Sequence, residues 1–143
     1  NSAGNLRNIR STDAITADAD PKAALTSYIR LKMALAAERP DASRVFANEL
    51  LHGAPVVGDA LHQELRVMVL EKAAVIDRWI AEGRMAAVDS THLFFTIWAA
   101  TQTYADFEVQ IRAVLGKEQL DEKDHERATA HVVSLIMRGC GLA

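Results

Sequence analysis

Apolar residues recur every three or four positions along most of the chain, whereas strict alternation of apolar and polar residues is almost absent. The first period is that of an amphipathic α-helix, and the second is that of a strand. Only seven glycines and three prolines interrupt the long periodic stretches. The pattern therefore predicts an all-α fold, an antiparallel bundle of about five to six helices.

Helix start and stop residues divide the chain into five predicted helices. At Asp20 a side-chain acceptor precedes Pro21, the arrangement expected where a helix begins. Gly53, Gly83 and Gly116 follow apolar stretches and predict helix ends. The predicted helices cover residues 20–21 to about 38, 41 or 43 to 52, about 59 to 82, 91 to about 115, and about 121 to 138.

The first 17 residues have a different character. The segment 1–17, NSAGNLRNIRSTDAITA, has no sustained apolar face and is rich in Asn, Ser and Thr. We expect it to be a disordered tail, a tag or the remnant of an upstream helix. The folded domain is accordingly predicted over residues 18–143.

The last two long predicted helices are unusually apolar. The fourth contains the run LFFTIWAAT, which is apolar on every side, and the fifth has two apolar faces. Together they carry more apolar surface than a small monomer can cover. We therefore expect them to pair with the same helices of a second chain, forming a two-fold, four-helix dimer interface.

Composition narrows the possible functions. Half of the 143 residues are apolar, and 16 basic against 19 acidic residues give a net charge of −3. This balance argues against a basic nucleic-acid-binding coat and against intrinsic disorder. A single cysteine, Cys140, cannot form an intrachain disulfide or a thiolate zinc site, and we expect a reducing cytoplasm. No apolar run approaches the ~20 residues that span a bilayer.

Signatures of catalysis are missing from the sequence. The five histidines are scattered, and none has the i, i+4 spacing with an intervening Glu that helical zinc proteases use. There is also no glycine-rich phosphate loop and no Gly-x-Ser-x-Gly elbow. We expect a protein that is not an enzyme and that has neither a metal nor a cofactor.

Two charged residues lie on predicted apolar faces. Glu49 shares a face of the second helix with Val45, Phe46 and Leu50, and Lys72 lies within the apolar stripe of the third helix. Burying either charge alone costs several kcal/mol, so each needs a partner or must reach water. An interhelical ion pair or a snorkelling lysine would explain these positions, and contact with a polar ligand is the alternative.

The fourth helix offers a second candidate for ligand binding. Gln102 follows Trp98 by one turn, and Tyr104 and Asp106 come just after. An indole face beside a carboxamide suits a flat, hydrogen-bonding small molecule, which stacks on the ring and pairs with the amide. A core tryptophan with a glutamine satisfied by its own chain is the structural alternative.

Two segments resemble a known family. The segment 43–55, SRVFANELLHGAP, and the segment 97–107, IWAATQTYADF, are similar to the C-terminal domain of TetR-family transcriptional regulators. The second segment is similar to that of the family's regulators of pyrimidine utilisation. The resemblance extends from about Pro21 to Arg138, which is nearly the whole predicted domain.

The resemblance implies a helical ligand-binding and dimerisation domain of a homodimeric regulator. It also implies a small-molecule effector such as uracil or thymine, and operator DNA bound through a helix-turn-helix domain that the region before Asp20 is too short to supply. Thr103 stands where the pyrimidine regulators have His, so the effector can differ from uracil. The alternative is a helical module that only dimerises. The candidate ligand-binding residues are Trp98 and Gln102, with Tyr104, Glu49, Lys72 and Phe46 as further members.

Overall fold

The structure is a computed structural model that describes residues 11–53 and 58–143. This part of the chain contains six α-helices, one short 3-10 turn and no strand, which confirms the predicted all-α fold. The 3-10 turn is Ser11–Ala14. The helices are α1 (Pro21–Glu38), α2 (Pro40–Leu51), α3 (Gly58–Ala81), α4 (Ser90–Asp106), α5 (Glu108–Leu115) and α6 (Glu122–Gly139).

Side-chain caps start three of these helices where the sequence predicts them. The carboxylates of Asp20 and Asp89 accept hydrogen bonds from the backbone amides of Ala23 and His92 at 2.9 and 3.0 Å. At α6, Asp121 and Asp124 form a reciprocal capping box. Each cap satisfies amides that the helix itself leaves without a partner.

The single helix predicted over 91–115 is wrong, because it breaks at Phe107 into α4 and α5. No glycine or proline marks the break in the sequence. In the structure, α2 holds the last turn of α4: Ser43 donates a 2.7 Å hydrogen bond to Asp106, and Arg44 donates to the carbonyl of Ala105 at 3.4 Å. Tertiary contacts therefore take up groups at the end of α4, and the following helix restarts at Glu108.

α4 lies at the centre of the bundle and contacts all five other helices. Its inner face packs against α1, and the resulting core includes several large, fully buried side chains. These are Tyr28, Ile29, Ile76, Trp79, Phe94 and Ile97.

Some residues predicted to point inward are exposed. Val45 and Leu50, on the predicted apolar face of α2, are 71% and 47% exposed. α2 has no fully buried residue, since it packs along the side of α4 and α1 and not between other elements. Leu61, which the apolar period of the third predicted helix places on its inner side, lies outside the residues whose side chains are described.

The second half of the predicted tail packs against the domain. Ile15 is fully buried in the core, and Thr12 is buried beside it. Lys72 donates a 3.0 Å hydrogen bond to the carbonyl of Ile15, and Arg84 donates to the carbonyls of Ala17 and Ala19 at 3.0 and 2.6 Å. Residues 1–10 of the predicted tail lie outside the described part of the chain.

Among the described residues, we find no helix with the length and apolar character needed to cross a bilayer.

Candidate ligand-binding site

An aromatic cluster joins α1 to α4 on one side of the core. The indole nitrogen of Trp98 donates a 2.8 Å hydrogen bond to the hydroxyl of Tyr28. The ring of Phe94 packs edge-on against Tyr28, with 5.8 Å between centroids, and lies 6.4 Å from that of Trp98. Trp98 itself is only half-buried, so part of its surface is accessible to solvent next to the rings of Tyr28 and Phe94.

A buried lysine lies against the same two rings. Lys32 follows Tyr28 by one turn of α1, and its ammonium nitrogen is 6.0 Å from the ring centroid of Tyr28 and 6.0 Å from that of Trp98. Both distances are at the limit of a cation–π contact. The side chain is only 8% exposed, which is rare for lysine.

Burial shifts the acidities of this cluster in opposite directions. Removal from water disfavours the charged ammonium and lowers the pKa of Lys32 to about 8. Removal from water also raises the pKa of the Tyr28 hydroxyl to about 12, an effect that the hydrogen bond from Trp98 partly offsets. The site therefore places the neutral hydroxyl of Tyr28 near the ammonium of Lys32, whose charged form burial disfavours.

Gln102 lies one turn after Trp98 on α4 and is also half-buried. Among the described residues, its carboxamide takes part in no hydrogen bond, so the structure gives no support to a glutamine satisfied by its own chain. One amide donor pair and one carbonyl acceptor are thus available beside the indole.

α2 brings Phe46 and Glu49 to the α4 side of the bundle. Its first turn is fixed to the end of α4 by Ser43, and to the start of α5 by an ion pair of 3.5 Å between Arg44 and Glu108. Phe46 and Glu49 follow Ser43 at successive steps of three residues, so they continue along the same side of α2. Both are half-buried, as side chains at the edge of a helix contact are.

Lys72 and Tyr104, the two other candidate residues, have contacts of their own in the structure. The ammonium of Lys72 bonds to the carbonyl of Ile15, so the chain's own backbone explains its position on an apolar face. Tyr104 follows Gln102 by two residues, which places it on roughly the opposite side of α4, and it packs against the main core.

Sequence reasoning singled out neither Lys32 nor Tyr28 as a site residue. A signal for Lys32 was present, because it continues the stripe formed by Leu25, Ile29 and Ala36 at helical spacing. Lys72 drew attention for the same reason. The structure shows that, of the two lysines on apolar stripes, it is Lys32 that adjoins the aromatic cluster.

Two further features of the described residues bear on ligand binding, the absence of a metal-ligand group and a groove on another face of α1. Within residues 11–53 and 58–143, no three His, Cys, Asp or Glu side chains come together as metal ligands do. An open groove of about 760 Å³ runs between α1 and α6, from Lys22 and Arg30 to Glu126 and Val133. None of the candidate residues lines it.

Comparison with known proteins identifies the family. The family model described as "YcdC-like protein, C-terminal region" matches residues 7–143. The chain belongs to this family of TetR-type C-terminal domains. Two relatives are both named HTH-type transcriptional regulator RutR, one from Escherichia coli (strain K12) and one from Shigella flexneri. Each is 42% identical over 122 residues, which is 85% of this chain and 58% of the relative.

The chain therefore spans little more than half the length of these RutR relatives. The family match and the all-α fold confirm the resemblance to TetR-type C-terminal domains that was inferred from the segments 43–55 and 97–107. The relatives carry the name of a transcriptional regulator.

Proposed function

We propose that this TetR-type domain is the effector-binding and dimerisation domain of a transcriptional regulator. Its effector is a small planar heterocycle of the uracil or thymine kind, bound beside Trp98 and Gln102. The observation that carries the proposal is the half-buried carboxamide of Gln102 one turn from the Trp98 indole, with no hydrogen-bond partner among the described residues. A flat ring with an amide edge complements both groups.

The aromatic cluster supports stacking in a fixed place. The hydrogen bond between Trp98 and Tyr28 and the packing of Phe94 hold the indole in one orientation. A ligand that stacks on a fixed ring loses less entropy than one that must order it. Phe46 and Glu49 on α2 are the further proposed members of the site, because α2 packs along α4.

α2 offers a route from ligand to regulation. One end of α2 is held to the end of α4 by the Ser43–Asp106 hydrogen bond and to the start of α5 by the Arg44–Glu108 ion pair. A ligand between α4 and the other end of α2 favours the arrangement of helices that it contacts best, and so shifts the population of the domain. A few kcal/mol of differential affinity suffices for a large shift.

Dimerisation is proposed to use α4, α5 and α6. Several large apolar side chains on these helices are exposed: Phe95, Phe107, Val109, Val114, Leu115 and Leu135. Pairing with a second copy would cover them and form the predicted four-helix interface. In this proposal the homodimer is cytoplasmic, and operator DNA is bound by an N-terminal helix-turn-helix domain of the longer protein.

Calorimetric titration with uracil and thymine tests the effector proposal. We expect the wild-type chain to bind at least one of them, and Gln102→Ala to lose about tenfold or more in affinity through the lost hydrogen bonds. Gln119→Ala, in the exposed loop before α6, is the matched control and should bind as the wild type does. Equal binding by all three proteins, or binding by none, would remove the site.

A module that only dimerises is the second candidate. It is favoured by one observation, that the Trp98 donor is already satisfied by Tyr28 and the ring already packs against Phe94. In that case no nucleobase or related metabolite should raise the melting temperature of the chain, while the dimer persists.

A further inference from the structure

The break between α4 and α5 has no cause in its own stretch of sequence. No glycine or proline occurs between residues 91 and 115, and the sequence predicts one helix across them. Phe107 lies between the two helices, with φ of −118° and ψ of 30° against about −63° and −42° in an α-helix. A change of backbone conformation at this one residue would therefore join α4 to α5.

Burial does not explain the break either. The ring of Phe107 is exposed, and α5 has no fully buried residue. The apolar side chains of Val109, Val114 and Leu115 on α5 are exposed as well. Packing against the core therefore does little to fix the direction of α5.

Polar contacts from α2 hold the two sides of the break. Ser43 donates a 2.7 Å hydrogen bond to Asp106, the last residue of α4. Arg44 donates to the carbonyl of Ala105 at 3.4 Å and pairs at 3.5 Å with Glu108, the first residue of α5. A continuous helix would use that carbonyl for the backbone amide four residues later. The contacts from α2 thus compete with the helix for its own groups.

We propose that Ser43 and Arg44 form a latch that holds the helix broken at Phe107, and that release of this latch joins α4 and α5 into one helix over residues 90–115. Because α5 carries apolar side chains of the proposed dimer face, the latch determines which surface a second copy meets. A movement of α2 then changes the strength of the dimer. This last consequence rests on the proposed dimerisation, whereas the latch itself requires neither a ligand nor a partner.

Hydrogen–deuterium exchange distinguishes a latch from contacts that only stabilise the fold. In Ser43→Ala/Arg44→Met, the amides of residues 108–110 should gain helical partners, so their exchange should become about tenfold slower or more. Contacts that only stabilise the fold predict faster exchange after their removal. The dissociation constant of the dimer, measured by sedimentation, should rise about tenfold or more because α5 turns its apolar side chains away from the second copy.

Arg39→Met is the matched control. Arg39 directly precedes α2 and pairs at 3.8 Å with Asp41 of that helix. Its side chain bonds to neither α4 nor α5 within the described residues, so exchange at 108–110 and the dimer should stay as in the wild type. Faster or unchanged exchange in the double variant would overturn the latch. Slower exchange with an unchanged dissociation constant would overturn its effect on association.

A smaller substitution covers the case in which the double variant does not fold. Ser43→Ala removes one hydroxyl from a half-buried position, and the carbon-13 chemical shift of the Phe107 α-carbon reports the backbone conformation there. We expect this shift to move towards its helical value in Ser43→Ala and to stay in place in Arg39→Met. An unchanged shift in Ser43→Ala would overturn the latch. A monomeric wild-type chain would refute the proposed dimer and the effect on association, whereas exchange and chemical shift alone decide the latch.

Discussion

The indole nitrogen of Trp98 on α4 donates its hydrogen bond to the hydroxyl of Tyr28 on α1, at 2.8 Å. This bond joins two helices at the centre of the bundle and occupies the single donor of the indole. A stacked ligand would therefore meet the face of the ring, and its polar edge must be recognised by other side chains. The same bond makes Tyr28 the support of the candidate site.

Tyr28→Phe should lower the free energy of unfolding by about 1–2 kcal/mol. The substitution keeps the ring that packs against Phe94 but removes the acceptor, so that a part-buried indole N–H loses its partner. Urea unfolding measures the change. The control is Tyr104→Phe, because the hydroxyl of Tyr104 makes no hydrogen bond to the described residues; its cost should be below about 0.5 kcal/mol. Equal effects of the two substitutions would contradict a stabilising role for the bond.

The stability of the chain should depend on Lys32 between pH 8 and pH 10. The pKa of Lys32 is about 8 in the folded state against an ordinary 10.5, so the unfolded chain binds more protons in this range and stability rises with pH. Relative to Lys32→Met, the wild-type chain should gain roughly 2 kcal/mol between these two values, because one pKa unit corresponds to about 1.4 kcal/mol. Well below pH 8, where the lysine is protonated in both states, the difference should be constant.

Urea unfolding of both proteins at several pH values tests this dependence. Burial also raises the pKa of the Cys140 thiol, but that group is present in both proteins and cancels in the comparison. The raised pKa of Tyr28 acts only above pH 10, where it lowers stability as pH rises. Stability curves that stay parallel from pH 8 to pH 10 would show that the Lys32 ammonium is well solvated in the folded state.

Gly141→Ala should destabilise the chain more than Gly116→Ala. Both glycines have left-handed backbones, with φ of 67° and 69°, and alanine there costs about 1–2 kcal/mol. At Gly141 the added carbon would also lie 2.8 Å from the Cβ of Ala86, whereas at Gly116 it would meet nothing within 4 Å. Thermal unfolding compares the melting temperatures of the two variants. Gly141→Ala combines backbone strain with a steric clash, whereas Gly116→Ala has the backbone strain alone. A similar loss in both would mean that the loop at Ala86 moves aside without cost.

Arg84→Met should loosen the segment that precedes α1. Arg84 donates two charge-assisted hydrogen bonds to the carbonyls of Ala17 and Ala19, worth about 1.5–3 kcal/mol each. Hydrogen–deuterium exchange should become faster in residues 12–19. Arg78→Met is the control, because exposed Arg78 only pairs with Glu82 and its loss should leave that segment protected. Unchanged exchange in Arg84→Met would show that the burial of Ile15 and its hydrogen bond from Lys72 hold the segment without Arg84.

Leu135→Glu should shift the proposed dimer towards monomer. Leu135 is an exposed apolar residue on α6, where the second copy is expected to pack, and a buried unpaired carboxylate in an interface is costly. Analytical ultracentrifugation at micromolar concentration measures the shift. Val67→Glu, at an equally exposed apolar position on α3, should leave the dimer intact. A wild-type chain that sediments only at its monomer mass of 15.6 kDa would refute the dimer.

Helix type and helix starts could be predicted from the sequence because their causes are local. Asp20 with Pro21, and Asp121 with Asp124, act within one turn of the chain. The break at Phe107 could not be predicted, since it depends on Ser43 and Arg44, more than 60 residues earlier in the chain. Local patterns say where a helix can run, and tertiary contacts decide where it stops.

The candidate site shows the same division. Trp98 and Gln102 were found because one turn of a helix relates them. Tyr28 and Lys32 come from a different helix, and only the packing of α1 on α4 brings them to the indole. For Lys72, the apolar stripe was a correct sign of an interior position, but it could not distinguish a ligand contact from a bond to the carbonyl of Ile15.

Lys72 on α3 donates a hydrogen bond to the carbonyl of residue 15, and Arg84 in the turn after α3 donates to the carbonyls of residues 17 and 19. The segment before α1 is consequently fixed to α3 and to the turn after it at three backbone positions. A tilt of α3 relative to α1 would therefore displace residues 15–19 together with α3.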